Sequence, residues 1–86
     1  MQLTITGRNV EVTDWLREYV EKKVNRLDRY LPNITEARVE LAVENTRAAK
    51  DRQVAQVTLR TKQAILRGEE ASADMFASID AMLDKM

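Results

Sequence analysis

The segment DWLREYVEKKVNRLDRY, residues 14–30, has the apolar spacing of an amphipathic helix. At about 100° per residue its apolar side chains fall within an arc of roughly 80°. They are Leu16, Val20, Val24 and Leu27, with Leu31 just beyond the segment. Thr13 can cap the start of this helix, and Asp14 suits the positive end of its dipole. Pro32 and Asn33 end the pattern. A helix with one apolar side must cover another apolar surface of the same chain.

Four flanking segments alternate polar and apolar residues, which is the pattern of strands. They are QLTIT (2–6) before the helix, then EARVELAVEN (36–45), VAQVTLRT (54–61) and the weaker AILRGEEA (64–71) after it. The polar linker 46–52 is expected to be a hairpin loop that is long enough to be mobile. A tight connection near Lys62 and Gln63 joins the last two strands.

A second helix is predicted at the end of the chain. Ser72 can cap it, and Asp74 lies in its first turn. Its apolar stripe consists of Met75, Ile79, Leu83 and Met86. The predicted order is therefore β-α-β-β-β-α, which is an α+β fold. The strand–helix–strand start implies a parallel right-handed crossover and the later strands a meander, so both helices cover one face of a four-stranded mixed sheet.

The composition narrows the possible functions. The 86 residues suffice for one domain, and they include neither cysteine nor histidine. Thiolate and imidazole chemistry and the usual zinc sites are therefore excluded, so an enzyme would have to use carboxylates, lysine, arginine or hydroxyls. No acid/base or nucleophile constellation of such residues is found, and we therefore expect no enzyme, no cofactor and no small-molecule substrate. No apolar run approaches the roughly 20 residues of a membrane span, and no signal-peptide pattern is present, which predicts a cytoplasmic protein without a membrane partner. The 14 basic and 14 acidic residues cancel, which by itself counts against nucleic-acid binding.

The charges of the first helix are nevertheless sorted by face. The side opposite the apolar stripe gathers basic and aromatic residues within about 100° of arc; they are Trp15, Tyr19, Lys22, Arg26, Arg29 and Tyr30. Lys23 and Arg17 border the apolar stripe on its two edges. Such a helix can be an ordinary solvated one with local pairs such as Glu18 with Lys22, and Tyr19 or Trp15 can pack against the second helix. It can equally be a basic strip that binds phosphates and stacks on unpaired bases.

Other candidate sites carry weaker signals. The turn TGRN places Arg8 beside Gly7, and small α/β phosphatases use such an arginine to hold phosphate. A plain turn explains Arg8 and Asn9 equally well, because no glycine-rich phosphate loop accompanies them. Glu69 and Glu70 are expected to point to opposite faces of a strand, so they cannot act together on one substrate.

Several segments together resemble one family, the ribosome hibernation promoting factors, which are also known as ribosome-associated inhibitors or sigma factor modulation proteins. The most specific are ITGRNVEVT (5–13), LREYV (16–20) and DMFASID (74–80), and the resemblance extends over essentially the whole chain. It implies a fold similar to double-stranded-RNA-binding domains. It also implies binding to the 16S-type rRNA of the small ribosomal subunit, in the channel for messenger and transfer RNA, which silences translation in stress or stationary phase.

The same resemblance implies which residues contact rRNA. Basic positions of the family pattern fall on Arg17, Lys23, Arg26, Arg29 and Lys85, while Lys22 is supported by the helical wheel, and Trp15 and Tyr19 are candidates for stacking. In the family the last helix continues with further basic residues, and longer members add a dimerisation domain. We therefore expect residues 1–86 to be a single ribosome-binding domain, cut short at its last helix and without that dimerisation domain. The alternative function is a protein-interaction module that self-associates through a sheet edge or a helix face and does not bind RNA.

Overall fold

The computed structural model describes residues 1–31 and 33–85. Its elements are β1 (Gln2–Arg8), α1 (Asp14–Tyr30), β2 (Ile34–Val43), a 3-10 turn (Ala49–Asp51), β3 (Gln53–Thr61), β4 (Ile65–Ser72) and α2 (Met75–Asp84). The predicted β-α-β-β-β-α order is confirmed. Pro32 and Met86 lie outside the described residues, so the helix-ending role of the first and the place of the second on the α2 stripe stay predictions.

The strands form one four-stranded sheet in the order β1-β2-β3-β4. β1 runs parallel to β2, as the crossover through α1 requires, and β2, β3 and β4 are antiparallel neighbours. The register aligns side chains in rows across the sheet: Leu3, Ala37, Leu59 and Leu66 form one row. Because side chains alternate along each strand, this row and every second residue from it share one face.

Both helices pack on that face, as predicted. The core is formed by α1 through Leu16, Val20 and Val24, and by α2 through Met75, Ile79, Met82 and Leu83. These side chains pack against Ala37, Val39 and Leu41 of β2 and Ala55, Val57 and Leu59 of β3. Full burial of such an aliphatic side chain stabilises the fold by about 1.5–3 kcal/mol relative to exposure. Over residues 1–31 and 33–85, neither helix has the length and apolar character that a membrane crossing requires.

The caps differ in part from expectation. Thr13 caps α1 as predicted, since its hydroxyl accepts from the Leu16 amide at 3.3 Å. The predicted cap of α2 is wrong: the N-cap is Asp74, whose carboxylate accepts from the Phe76 amide at 3.4 Å. Ser72 still belongs to β4, and its hydroxyl donates instead to the Asp74 carbonyl at 2.6 Å. A carboxylate at the helix start is favoured further by the helix dipole.

The linker between β2 and β3 has more local structure than a plain loop. It contains the 3-10 turn Ala49–Asp51. The Thr46 hydroxyl donates to the Ala48 carbonyl at 3.0 Å, and the Arg52 guanidinium donates to the Thr46 carbonyl at 2.9 Å. The mobility expected of this linker stays a prediction.

Candidate nucleic-acid interface

A polar contact joins the two helices near their middle. The Tyr19 hydroxyl donates to the Asp80 carboxylate at 2.6 Å, and the Lys23 ammonium lies 3.0 Å from the same carboxylate oxygen. The Tyr19 ring meets the Phe76 ring edge-on, with 4.9 Å between centroids, and the Lys23 nitrogen sits 5.6 Å from the centroid of the Tyr19 ring. Tyr19 and Lys23 of α1 thus converge on Asp80 of α2, and the Tyr19 ring also packs on Phe76, so these contacts join the two helices.

The protonation states of this contact follow from its geometry. The hydrogen bond from Tyr19, reinforced by the hydrogen bond and charge of Lys23, lowers the pKa of Asp80 below its ordinary value. The same hydrogen bond, with partial desolvation, raises the pKa of Tyr19 to about 12. Asp80 therefore stays ionised and Tyr19 stays protonated at neutral pH, so the link between the helices persists there.

An open groove of about 470 Å³ follows this contact, at the carboxyl ends of both helices. Its walls combine basic, aromatic and apolar side chains with one carboxylate, that of Asp84; they are Lys23, Arg26, Leu27, Arg29, Tyr30, Leu31, Leu83 and Asp84. Tyr30 is 80% exposed, so one face of its ring is available to a partner. Guanidinium groups bind phosphate oxygens, and an exposed aromatic ring can stack on an unpaired base. The side chains of this groove are thus of the types that contact phosphate groups and unpaired bases.

The structure brings together only part of the predicted basic set. Lys23, Arg26 and Arg29 line the groove, and Lys22 is exposed on the adjoining surface of α1. Among the described residues Lys22, Arg26 and Arg29 make no ion pair, and the expected pair of Glu18 with Lys22 is not formed. Three cations are thus available to an anionic partner without breaking an internal bridge.

The other predicted basic residues lie elsewhere. Arg17 is exposed on the edge of the apolar stripe opposite Lys23 and does not line the groove. Lys85 forms an ion pair with Glu70 of β4, on the sheet side of α2. Lys85 does not line the groove, and its charge is partly neutralised.

The two aromatic candidates for stacking differ in their surroundings. Trp15 is 79% exposed in the first turn of α1, away from the groove. Tyr19 is half-buried and packs on α2, which was the other interpretation of its sequence position. Stacking on a base stays a prediction for both residues, and the exposed Tyr30 joins them as a candidate.

Sequence reasoning did not identify Asp80 or the groove. A signal for Asp80 exists, because it follows Phe76 by one helical turn and therefore shares a face with it. Tyr19 and Lys23 are also one turn apart. The groove leaves no such signal, since it depends on how the helix ends are placed against each other.

The weaker candidate sites have structural roles. The Arg8 guanidinium lies 2.9 Å from a carboxylate oxygen of Glu44 and 3.5 Å from a carboxylate oxygen of Glu40. Arg8 is therefore already ion-paired within the chain. Glu69 accepts from the Gln56 side chain, whereas Glu70 pairs with Lys85 on the other face, which confirms that the two carboxylates point apart. Within the part of the chain that the structure describes, no cluster of side chains could hold a metal ion.

Comparison with known families gives a match over nearly the whole chain. The model of the family described as "Sigma 54 modulation protein / S30EA ribosomal protein" matches residues 3–86. The chain is 50% identical over 80 residues to the "Ribosome hibernation promotion factor" of Deinococcus radiodurans, covering 93% of this chain and 42% of that protein. It is 37% identical to the "Ribosome hibernation promoting factor" of Escherichia coli, covering 100% of this chain and 85% of that protein. The chain thus spans less than half the length of the Deinococcus relative.

Solved structures agree with this match. The crystal structure of the Thermus thermophilus Protein Y N-terminal domain superposes with a TM-score of 0.85 at 37% sequence identity, over 99% of this chain and 90% of that chain. The mixed sheet with two helices on one face is therefore a fold that the chain shares with this domain.

Proposed function

The chain belongs to the family described as sigma 54 modulation protein / S30EA ribosomal protein, and from that premise we propose that it is a ribosome hibernation factor that binds the small ribosomal subunit. The observation that carries the proposal is the groove between α1 and α2, which Lys23, Arg26 and Arg29 line together. The names of the Deinococcus and Escherichia relatives support the same role. The action is occlusion of the decoding channel rather than catalysis.

Phosphate contacts supply the affinity in this proposal. Arg26 and Arg29 offer planar guanidinium groups that bind two phosphate oxygens at once, and Lys22 adds a point charge beside them. Lys23 has a structural role, because its ammonium lies 3.0 Å from the Asp80 carboxylate. This ion pair holds the wall of the groove in position. Each phosphate that the protein neutralises releases counterions, so binding to 16S-type rRNA weakens as salt rises.

Occupation of the channel for messenger and transfer RNA then blocks translation in stress or in stationary phase. The proposed site of action is the cytoplasm, where ribosomes are located. Residues 1–86 act as one ribosome-binding domain in this account. The zero net charge of the chain is compatible with it, because the cations at the groove lie on a different side of α1 from its acidic residues, which are Asp14, Glu18, Glu21 and Asp28. Local charge, rather than the sum, governs steering toward RNA.

Co-sedimentation with purified bacterial small ribosomal subunits tests the proposal. The double variant Arg26→Glu with Arg29→Glu should lower the affinity about tenfold or more, because both contacts become repulsive. The matched control is Arg47→Glu with Lys50→Glu, which changes the charge equally in the exposed β2–β3 linker and should bind like the unmodified protein. Lys23 is left unchanged, since its replacement would also loosen the contact with Asp80. Equal binding by all three proteins would contradict the proposal.

Self-association is a second candidate function, favoured by one observation. β4 is an edge strand, and its Ile65 and Leu66 are 52% and 37% exposed. An exposed edge with apolar side chains can pair with another strand. Light scattering over a range of protein concentrations tests this candidate, which requires a mass that rises to that of a dimer. A monomer mass at all concentrations, together with binding to small subunits, would exclude self-association and support the ribosomal role.

A further inference from the structure

The face of the sheet that the helices do not cover carries a group of arginines. Arg38 of β2, Arg60 of β3 and Arg67 of β4 lie around a shallow cavity of about 140 Å³. The remaining walls of this cavity are Glu36, Thr58 and Ile65. We call Arg38, Arg60 and Arg67 the arginine face. It lies on the other side of the sheet from the α1–α2 groove.

The strand register creates the arginine face. Thr58 is paired with Arg38 on one side and with Arg67 on the other, so these three residues form one row across three strands. Arg60 is two residues further along β3 and therefore points to the same side. At about 4.8 Å between neighbouring strands, the outer arginines of the row are about 10 Å apart at the backbone. Their side chains can reach a common ligand or two adjacent groups of one ligand.

Three cations line the cavity of the arginine face, while Glu40 and Glu69 lie in the next row on the same side of the sheet, where they contact Arg8 and Gln56. Arg38 pairs with Glu36, the one carboxylate among the cavity walls, and in the described part of the chain Arg60 and Arg67 make no ion pair. In the strand register Arg60 lies opposite Glu36, and Thr58 separates Arg38 from Arg67, so no two of these arginines are direct cross-strand partners. The guanidinium groups of Arg60 and Arg67 are therefore available to a negatively charged partner.

The breadth of the arginine face indicates a chain of phosphates. Its cations extend over three strands, which suits consecutive groups of a nucleic-acid backbone better than a single small anion. The aromatic residues of the chain, Trp15, Tyr19, Tyr30 and Phe76, all belong to the two helices. This face therefore lacks platforms for stacking on bases, so it can contact the backbone without sequence preference.

We propose that the arginine face is a second RNA-binding surface, which contacts backbone phosphates while the α1–α2 groove contacts RNA on the other side of the sheet. The inference rests on the proposed ribosomal function and extends it, because the module would then be enclosed by rRNA on two sides. Arg60 and Arg67 supply the main contacts, and Arg38 contributes the guanidinium nitrogens that Glu36 leaves exposed.

Site-directed cleavage of RNA distinguishes the two surfaces. The chain contains no cysteine, so a single cysteine can carry an iron chelate that cuts RNA close to it. Thr58→Cys places the chelate in the arginine face, and Lys22→Cys places it on α1. With purified bacterial small subunits, we expect both proteins to cut 16S-type rRNA, at different positions. Cutting from Lys22→Cys alone would overturn the second surface and leave the proposed function intact, whereas no cutting from either protein would contradict both.

A charge variant tests the same inference without a bulky label. Arg60→Gln with Arg67→Gln should weaken binding to small subunits about tenfold. The control Arg47→Gln with Lys50→Gln removes the same charge from the β2–β3 linker and should leave the affinity unchanged. Thermal unfolding establishes that both variants are folded. If the Arg60 and Arg67 variant binds as tightly as the control, while Arg26→Gln with Arg29→Gln binds weakly, the arginine face does not contact RNA.

Discussion

The Tyr19 hydroxyl donates a 2.6 Å hydrogen bond to the Asp80 carboxylate and thereby links α1 to α2 across 61 residues of sequence. The link matters for the proposed function because both helices contribute apolar walls to the groove. Leu27 belongs to α1, Leu31 is the C-cap of α1, and Leu83 belongs to α2. A change in the spacing of the helices would move Arg26 and Arg29 relative to Leu83. We therefore predict that stability and the proposed RNA binding are coupled at this contact.

Removal of the Tyr19 hydroxyl should weaken the link while its ring still packs on Phe76. Tyr19→Phe is expected to lower the free energy of unfolding by about 1 kcal/mol, since the hydrogen bond to a carboxylate is partly exposed to water. The pKa of Asp80 should rise toward its ordinary value, because the largest cause of its depression is gone. Urea unfolding and an NMR titration of Asp80 measure the two effects. Tyr30→Phe is the control, because Tyr30 is 80% exposed, and a matching loss in that variant would contradict the assignment.

The same link makes stability depend on pH at both extremes. The pKa of Asp80 is depressed in the folded state, so its contribution is present above the ordinary value of 3.8 and is lost as pH falls through the folded value. The pKa of Tyr19 is raised from 10.0 to about 12, so its contribution is present below pH 10.0 and is lost as pH rises toward 12. Urea midpoints across this range should decline more steeply at both ends for the unmodified protein than for Tyr19→Phe. Parallel curves would show that the link has no role in the pH dependence.

A close backbone approach at the end of β1 should make Gly7 intolerant of a side chain. A Cβ atom at this position would lie 2.4 Å from the Val10 carbonyl oxygen and 3.0 Å from a Val12 methyl group. Because the nearest atom belongs to the backbone, relief requires the turn to shift, and Gly7→Ala should cost about 1–3 kcal/mol. Chemical denaturation measures the loss. Asn9→Gly is the comparison, since Asn9 has a φ of 59° and glycine adopts that conformation readily. A larger loss of unfolding free energy for Asn9→Gly than for Gly7→Ala would refute this account of the turn.

Much of the fold was predictable from periodicity. The spacing of Leu16, Val20 and Val24 predicts α1, and the alternation in β2 and β3 predicts which side chains are buried. The cap of α2 was not predictable to the residue, because Ser72 and Asp74 are both good caps and the choice depends on where β4 ends. Tertiary structure, rather than local preference, decides between them.

The candidate site was predictable only where it lies on one helix. A helical wheel finds Arg26 and Arg29 on the outer side of α1, because their relation depends on sequence spacing alone. Asp80 acquires its role from the other helix, and Arg38 and Arg67 become neighbours only through the pairing of each with Thr58. Such relations depend on helix placement and strand register, which short-range sequence patterns do not specify.

The salt dependence of binding to small ribosomal subunits tests the central claim most directly. If Arg26 and Arg29 contact rRNA phosphates, the logarithm of the association constant falls linearly with the logarithm of the salt concentration. Arg26→Gln with Arg29→Gln should reduce that slope by about 1.5, at roughly 0.7–0.9 for each lost phosphate contact. Arg47→Gln with Lys50→Gln should leave the slope unchanged. An unmodified protein that does not bind, or a slope that is the same in the Arg26 and Arg29 variant, would contradict the account.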